Sequence, residues 1–119
     1  RGLKTHNPQL LSIAVEPQES PLLSGGTASP HGIQGIGANF IPDNYDPTVV
    51  DRIMQVTTEQ AMQTGRELSR HEGLITGISS GAAVHAALTY ALTPEAKGKT
   101  IVVVLPDTGE RYLSTPLYG

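Results

Sequence analysis

Cysteine is absent from the 119 residues. That absence removes disulfides, thiolate zinc sites and a cysteine nucleophile together. Tryptophan is absent too, and aromatics of any kind are scarce at 4 %. Charge is also sparse. The net value is −3 with no basic stripe anywhere, which argues against a nucleic-acid-binding surface. No run of about 18 apolar residues occurs, so no membrane-spanning helix is expected. The opening residues, Arg1 to Asn7, are polar and carry no signal-peptide pattern. A cytoplasmic setting is the default expectation. The length suits one small domain. Arg1 to Lys4 reads as the end of a helix, and both termini read as cut ends, so a segment of a longer protein is expected.

Short apolar runs and glycine-rich turns make up the rest of the chain. Leu10 to Val15 is an apolar run closed by Glu16-Pro17, the pattern of a strand buried on both faces. Glu16 to Asn44 has no regular periodicity and holds Pro17, Pro21, Pro30 and Pro42; a loop this long inside a small domain is usually functional or disordered. Asp46-Pro47 has the form of an N-cap followed by proline at the first helical position, with Val49, Val50 and Ile53 on one face. Gln55-Val56 is compatible with a very short strand. Thr57 and Gln60 have capping-box spacing. The helix they open carries Ala61, Met62, Gly65 and Leu68 on one side and ends at Gly73. Leu74 to Thr76 is extended, Gly77 to Gly81 is a turn, and Ala82 to Leu92 is an alanine-rich helix with Val84, Ala87, Leu88 and Ala91 at helical spacing. Thr100 to Leu105, with three consecutive valines and no alternation, predicts a central strand of a parallel sheet. The order of elements is α/β, a parallel sheet flanked by helices, whose ligands gather at the carboxyl ends of strands.

Three segments carry chemistry. Gly77-Ile78-Ser79-Ser80-Gly81 lies between an extended piece and a helix. A serine there either caps the helix or presents its hydroxyl to a ligand at the positive helix end. The Gly-x-Ser-x-Gly spacing also matches the nucleophile elbow of serine hydrolases. Asp107 offers an acid for that reading, but no histidine follows it. His85, six residues beyond Ser79 on the same helix, is rotated by about 600° around it, far from a triad orientation. Gly35-Ile36-Gly37 is a turn, or a place where the backbone passes close to a flat ligand; the dinucleotide fingerprint fails because Pro42 follows instead of a helix. Pro106 to Tyr112, after the best strand, is either a capped turn with a solvated Glu110–Arg111 pair or a ligand-side turn containing Asp107 and Thr108. The four histidines, His6, His31, His71 and His85, show no metal-ligand spacing. Lys4, Lys97 and Lys99 lack the apolar surroundings that lower a lysine's pKa for Schiff-base chemistry.

Taken in order, these segments resemble one family. Pro30 to Pro42 resembles the glycine-rich loop of cysteine synthase (O-acetylserine sulfhydrylase), Glu72 to Val84 its cofactor-nitrogen segment, and Ile101 to Thr115 its closing strand and turn. Ala14 to Pro17 resembles the strand before the loop. The resemblance runs from about Ile13 to Thr115. It implies the C-terminal part of the large domain of a fold-type II pyridoxal-phosphate (PLP) enzyme, with residues 1–119 forming one segment. It further implies replacement of acetate in O-acetyl-L-serine by sulfide to give L-cysteine. Ser79 corresponds to the serine that bonds the pyridine nitrogen, with Asp107 and Thr108 in the turn beside it. Gly35, Ile36 and Gly37 correspond to the substrate-side loop. The Schiff-base lysine, the substrate-carboxylate loop and the phosphate loop correspond to nothing in this sequence, so the segment alone is expected to be inactive. The family also implies a homodimer and docking of a serine acetyltransferase C-terminal tail. Gly32 stands where the family often has lysine, and Asn39 where it often has glycine, which touches fine specificity rather than family.

Two further readings stay open. One is a cystathionine β-synthase-like or sulfocysteine synthase-like enzyme of the same fold. The other is a non-catalytic fragment that folds with a partner chain.

Overall fold

The computed structural model describes residues 1–119. Its elements are α1 (Gly2–His6), β1 (Ile13–Pro17), β2 (Arg52–Val56), α2 (Thr58–Glu67) and α3 (Ile78–Ala91), with short 3-10 turns at Leu22–Ser24, Pro47–Val49, Pro94–Ala96 and Glu110–Tyr112. β1 and β2 form a two-stranded parallel sheet in which Ile13 stands opposite Arg52 and Pro17 opposite Val56. The α/β class and the parallel pairing agree with the expectation from the sequence.

Several predicted elements move. The first strand starts later than Leu10 and runs through Pro17. The helix expected after Asp46 is only a 3-10 turn. Asp46 does cap it, accepting from the Thr48 N–H at 3.0 Å, but the chain is extended again at Val50. Asp51 then ties the segment beside β1: its carboxylate accepts from the Ser12 N–H at 2.7 Å and from Lys4 at 2.5 Å. These bonds, the Lys4 one foremost, hold its pKa below the ordinary carboxylate value. Ile53, expected on a helix face, therefore lies in β2, where β-branched side chains pack well.

α2 begins as read. Thr57 accepts from the Gln60 N–H at 3.1 Å, and the Gln60 side chain accepts from the Thr57 N–H at 2.9 Å, a complete capping box. The helix widens into a π-helical turn at Leu68–Glu72 and stops at Gly73, whose φ is +69°. α3 packs against α2 through small residues. A side chain on Gly81 would put its Cβ 2.1 Å from the Ala61 carbonyl oxygen, so the two backbones approach as closely as glycine alone allows. The buried stripe of α3 is Ala82, Ala86 and Tyr90, while Leu88 is exposed. The stripe expected through Val84 and Leu88 is thus displaced around the helix.

The core joins Ile33 of the long loop, Val56 of β2, Ala61 of α2, Ile78, Ala82 and Ala86 of α3, and Tyr112 and Leu117 near the C-terminus. Thr100 to Leu105 forms no strand. It meets no strand partner within the 119 residues, and Val102 and Val104 are 85 % and 75 % exposed. Leu74 to Thr76 is reduced to one antiparallel bridge, between Thr76 and Thr108. No helix is long and apolar enough to cross a membrane.

Candidate functional site at the N-terminus of α3

α3 opens at Ile78, so Ser79 and Ser80 lie in its first turn and not in a preceding loop. This corrects the reading of the serine as N-cap: the cap position is Gly77, which offers no side chain. The first-turn N–H groups of any helix lack intrahelical acceptors and carry the positive end of the helix dipole. Here Asp107 supplies the negative group from a distant part of the chain. Its carboxylate lies so close to Gly77 that a Cβ there would come within 2.0 Å of Oδ1, and the Gly77 N–H donates to the Asp107 carbonyl at 3.3 Å.

Three hydroxyls converge on Asp107. Tyr112 donates to Oδ2 at 2.9 Å. Ser80 donates to the Asp107 carbonyl at 3.3 Å and to Oδ1 at 3.4 Å. Ser79 reaches Oδ1 at 3.5 Å, the outer limit of a hydrogen bond. Ser79 and Ser80 are 4 % and 0 % exposed. Burial, and after it the bond to the Asp107 carboxylate, push the Tyr112 phenol above its ordinary pKa, so it stays a donor. The turn is held against the extended piece by the Thr76–Thr108 bridge, by the Gly109 N–H to Ile75 carbonyl bond at 3.0 Å, and by Tyr118. The Tyr118 hydroxyl donates to the Thr76 carbonyl at 2.7 Å and accepts from the Thr76 N–H at 3.1 Å.

The glycine loop closes the other side. Ile33 anchors it, fully buried in the core. The His31 ring staples it: Nδ1 accepts from the Ile33 N–H at 3.1 Å, which leaves Nε2 as the protonated nitrogen donating to the Gly37 carbonyl at 2.6 Å. Gly35 has φ +98°, and a Cβ on it would stand 3.3 Å from Ser79 Oγ. The backbone therefore passes over the hydroxyl with no side chain between them. Glu19 ties the loop to α2 by accepting from the Thr58 N–H at 2.7 Å. Burial raises the Glu19 pKa, but hydrogen bonding, chiefly to the Thr58 N–H, outweighs it and the net shift is downward.

Of the residues singled out in the sequence, Ser79, Asp107 and Gly35 come together. Ile36 packs on the core, and Gly37 is held by His31 away from the serine hydroxyl. Thr108 is exposed and contributes its backbone bridge. The hydrolase reading loses its base: Asp107 does approach Ser79, but His85 Nδ1 faces Thr64 Oγ1 at 3.2 Å, across the α2–α3 contact. Sequence reasoning missed Tyr112 and Ser80 as partners of Asp107, and His31 as the loop staple. The one available signal was the position of all three inside the segments already singled out.

Comparison with known proteins gives the family of the chain. Residues 1–107 match the family described as pyridoxal-phosphate dependent enzyme. A cysteine synthase of Staphylococcus aureus is 49 % identical over 98 % of this chain and 37 % of its own length. The crystal structure of a cysteine synthase from Entamoeba histolytica superposes with a TM-score of 0.95 at 50 % identity, covering 98 % of this chain and 34 % of that one. An O-acetylserine-dependent cystathionine β-synthase from Helicobacter pylori superposes at 0.84 with 40 % identity, over 98 % of this chain and 37 % of that one. The chain thus spans little more than a third of the length of these relatives.

Proposed function

The chain belongs to the pyridoxal-phosphate dependent enzyme family, and we propose that it is the C-terminal segment of the large domain of a fold-type II cysteine synthase. The complete protein replaces the acetate of O-acetyl-L-serine by sulfide to give L-cysteine. It is a cytoplasmic homodimer, and a serine acetyltransferase C-terminal tail is a partner for its active site.

The observation that carries this reading is the approach of Gly35 to Ser79 at the start of α3. The residues present fit the cofactor's ring. Gly35 leaves open the space that a Cβ would fill, and Ser79 is bound only loosely to Asp107, so its hydroxyl is free for a ring nitrogen. Pyridoxal phosphate, when bound, supplies the electron sink for loss of the β-substituent. Ser79 contributes a neutral hydroxyl to the ring nitrogen, which makes a weaker sink than a carboxylate and suits elimination. Gly35 lines the substrate side with backbone, and Ile36 and Gly37 continue that loop. Asp107 and Thr108 form the turn at the ring edge. The lysine that binds the cofactor covalently lies outside these residues, and the segment alone is inactive.

The test is a paired assay of the full-length protein loaded with pyridoxal phosphate. O-acetyl-L-serine is offered with sulfide or with homocysteine, and each product is measured. Cysteine as the main product supports the proposal. Cystathionine as the main product establishes the second reading, which the Helicobacter pylori neighbour favours. Ser79→Ala is expected to slow cysteine formation while leaving the cofactor bound; unchanged kinetics remove the serine from its assigned role.

A further inference from the structure

The reading above gives Asp107 only its place in the turn at the ring edge and leaves its bond to Tyr112 unused. The carboxylate accepts only, and it is offered three protons at the head of α3. The closest comes from Tyr112, at 2.9 Å on Oδ2. Oδ1 shares the Ser80 proton, at 3.4 Å, with the Asp107 carbonyl at 3.3 Å, and has Ser79 at 3.5 Å. Favourable O–H···O separations lie near 2.7–2.8 Å. Asp107 is therefore held mainly by the phenol, and the Ser79 proton is the one it holds least.

Resting on the reading that Ser79 faces the ring nitrogen of pyridoxal phosphate, we propose that Asp107 and Tyr112 are positioning residues that decide the direction of the Ser79 proton. While Tyr112 and Ser80 satisfy the carboxylate, Ser79 is free to donate to an unprotonated ring nitrogen. Removing the phenolic hydroxyl leaves a carboxylate short of its best donor beside two buried serines. Ser79 then turns its proton to Oδ1 and presents a lone pair to the ring. A lone pair there stabilises the protonated ring, whose extra proton comes from solvent. An asparagine at 107 does the opposite. Its carbonyl can keep the Tyr112 bond while its amide donates toward the serines, which forces the Ser79 proton toward the ring nitrogen. The charged and titratable groups at this helix end are Asp107 and Tyr112 themselves, Tyr118, whose hydroxyl is engaged by the Thr76 backbone, and Arg111, close enough to Tyr112 to lower its pKa against the larger upward effects.

The experiment uses full-length protein loaded with pyridoxal phosphate labelled with 15N at the ring nitrogen, and follows that nitrogen's chemical shift against pH. In Tyr112→Phe the ring nitrogen is expected to titrate at higher pH than in the unsubstituted protein, and in Asp107→Asn at lower pH. Both effects are expected to vanish when Ser79→Ala is already present, a result that a general loosening of the fold does not produce. Equal titration in all three proteins overturns the inference, as does a Tyr112→Phe shift that persists without the serine. If Tyr112→Phe does not fold, the Asp107→Asn displacement and its dependence on Ser79 decide the matter alone. A full-length protein that takes up no cofactor overturns the functional reading together with this one, whereas bound cofactor with unmoved titrations overturns only the inference.

Discussion

Gly32 lies at the surface against Thr58, so a side chain on it would have to displace the Thr58 methyl. Its N–H donates to the Thr58 hydroxyl at 2.9 Å, and a Cβ on it would stand 2.5 Å from the Thr58 methyl. The family resemblance suggested a lysine at this position. Gly32→Ala is expected to destabilise the full-length protein by about 1 kcal/mol, the low end for overpacking, because the position is exposed and a side-chain methyl is what must move. Thr58→Ser removes the methyl and keeps the acceptor, so the double substitution is expected to recover most of the loss. Urea unfolding of the four proteins measures the coupling; additive effects would show that the methyl is not what excludes a side chain. Asn39, the other departure, has an equally local cause. Its φ is +64°, a conformation glycine adopts freely and asparagine tolerates best among the rest. Its side-chain oxygen accepts from the Ser20 hydroxyl at 2.9 Å, which fastens the loop.

Among the elements, local signals were legible where they close within a few residues. The Thr57–Gln60 capping box, the Asp46 cap and the Gly73 stop all stand where their spacing suggested. Thr57→Ala removes the acceptor of one orphan N–H and is expected to cost ~1 kcal/mol, read as a lower unfolding midpoint of the full-length protein with an unchanged m-value. A midpoint that stays put would mean that Glu19, which accepts from the Thr58 N–H, already suffices for this helix end. Signals that close over longer distances were not legible. Asp51 pairing with Ser12 turns an expected helix into β2. Asp107 arrives at the start of α3 from near the other end of the chain, and so the helix needs no serine cap and begins earlier than the turn-like Gly-Ile-Ser-Ser-Gly suggests. At the site the residue types were visible and their hydrogen-bond partners were not. Ser79 and Asp107 are 28 positions apart, and nothing in spacing tells which hydroxyl the carboxylate holds tightly.

At the scale of the whole molecule, the apolar surface is the main fact. Only 21 of 119 residues are buried. The Cα radius of gyration is 14.6 Å, against about 13.5 Å for a compact domain of this length. Val102, Val104, Leu88 and Leu92 face outward. Thr100 to Leu105 carries the strongest strand pattern in the sequence yet pairs with nothing, leaving a row of free backbone donors and acceptors among apolar side chains. Residue pattern and environment thus disagree, and the disagreement disappears if strands from a longer chain flank this segment. Hydrogen exchange tests that directly. In the full-length protein the Ile101 to Leu105 amides are expected to be among the best protected. In the isolated 119-residue chain they are expected to exchange freely, and that chain is expected to melt without a cooperative transition. Free exchange in the full-length protein would mean that the valine run is not a buried strand. A cooperative melt of the isolated monomer would mean that the small core around Ile33, Ala82 and Leu117 suffices to fold it.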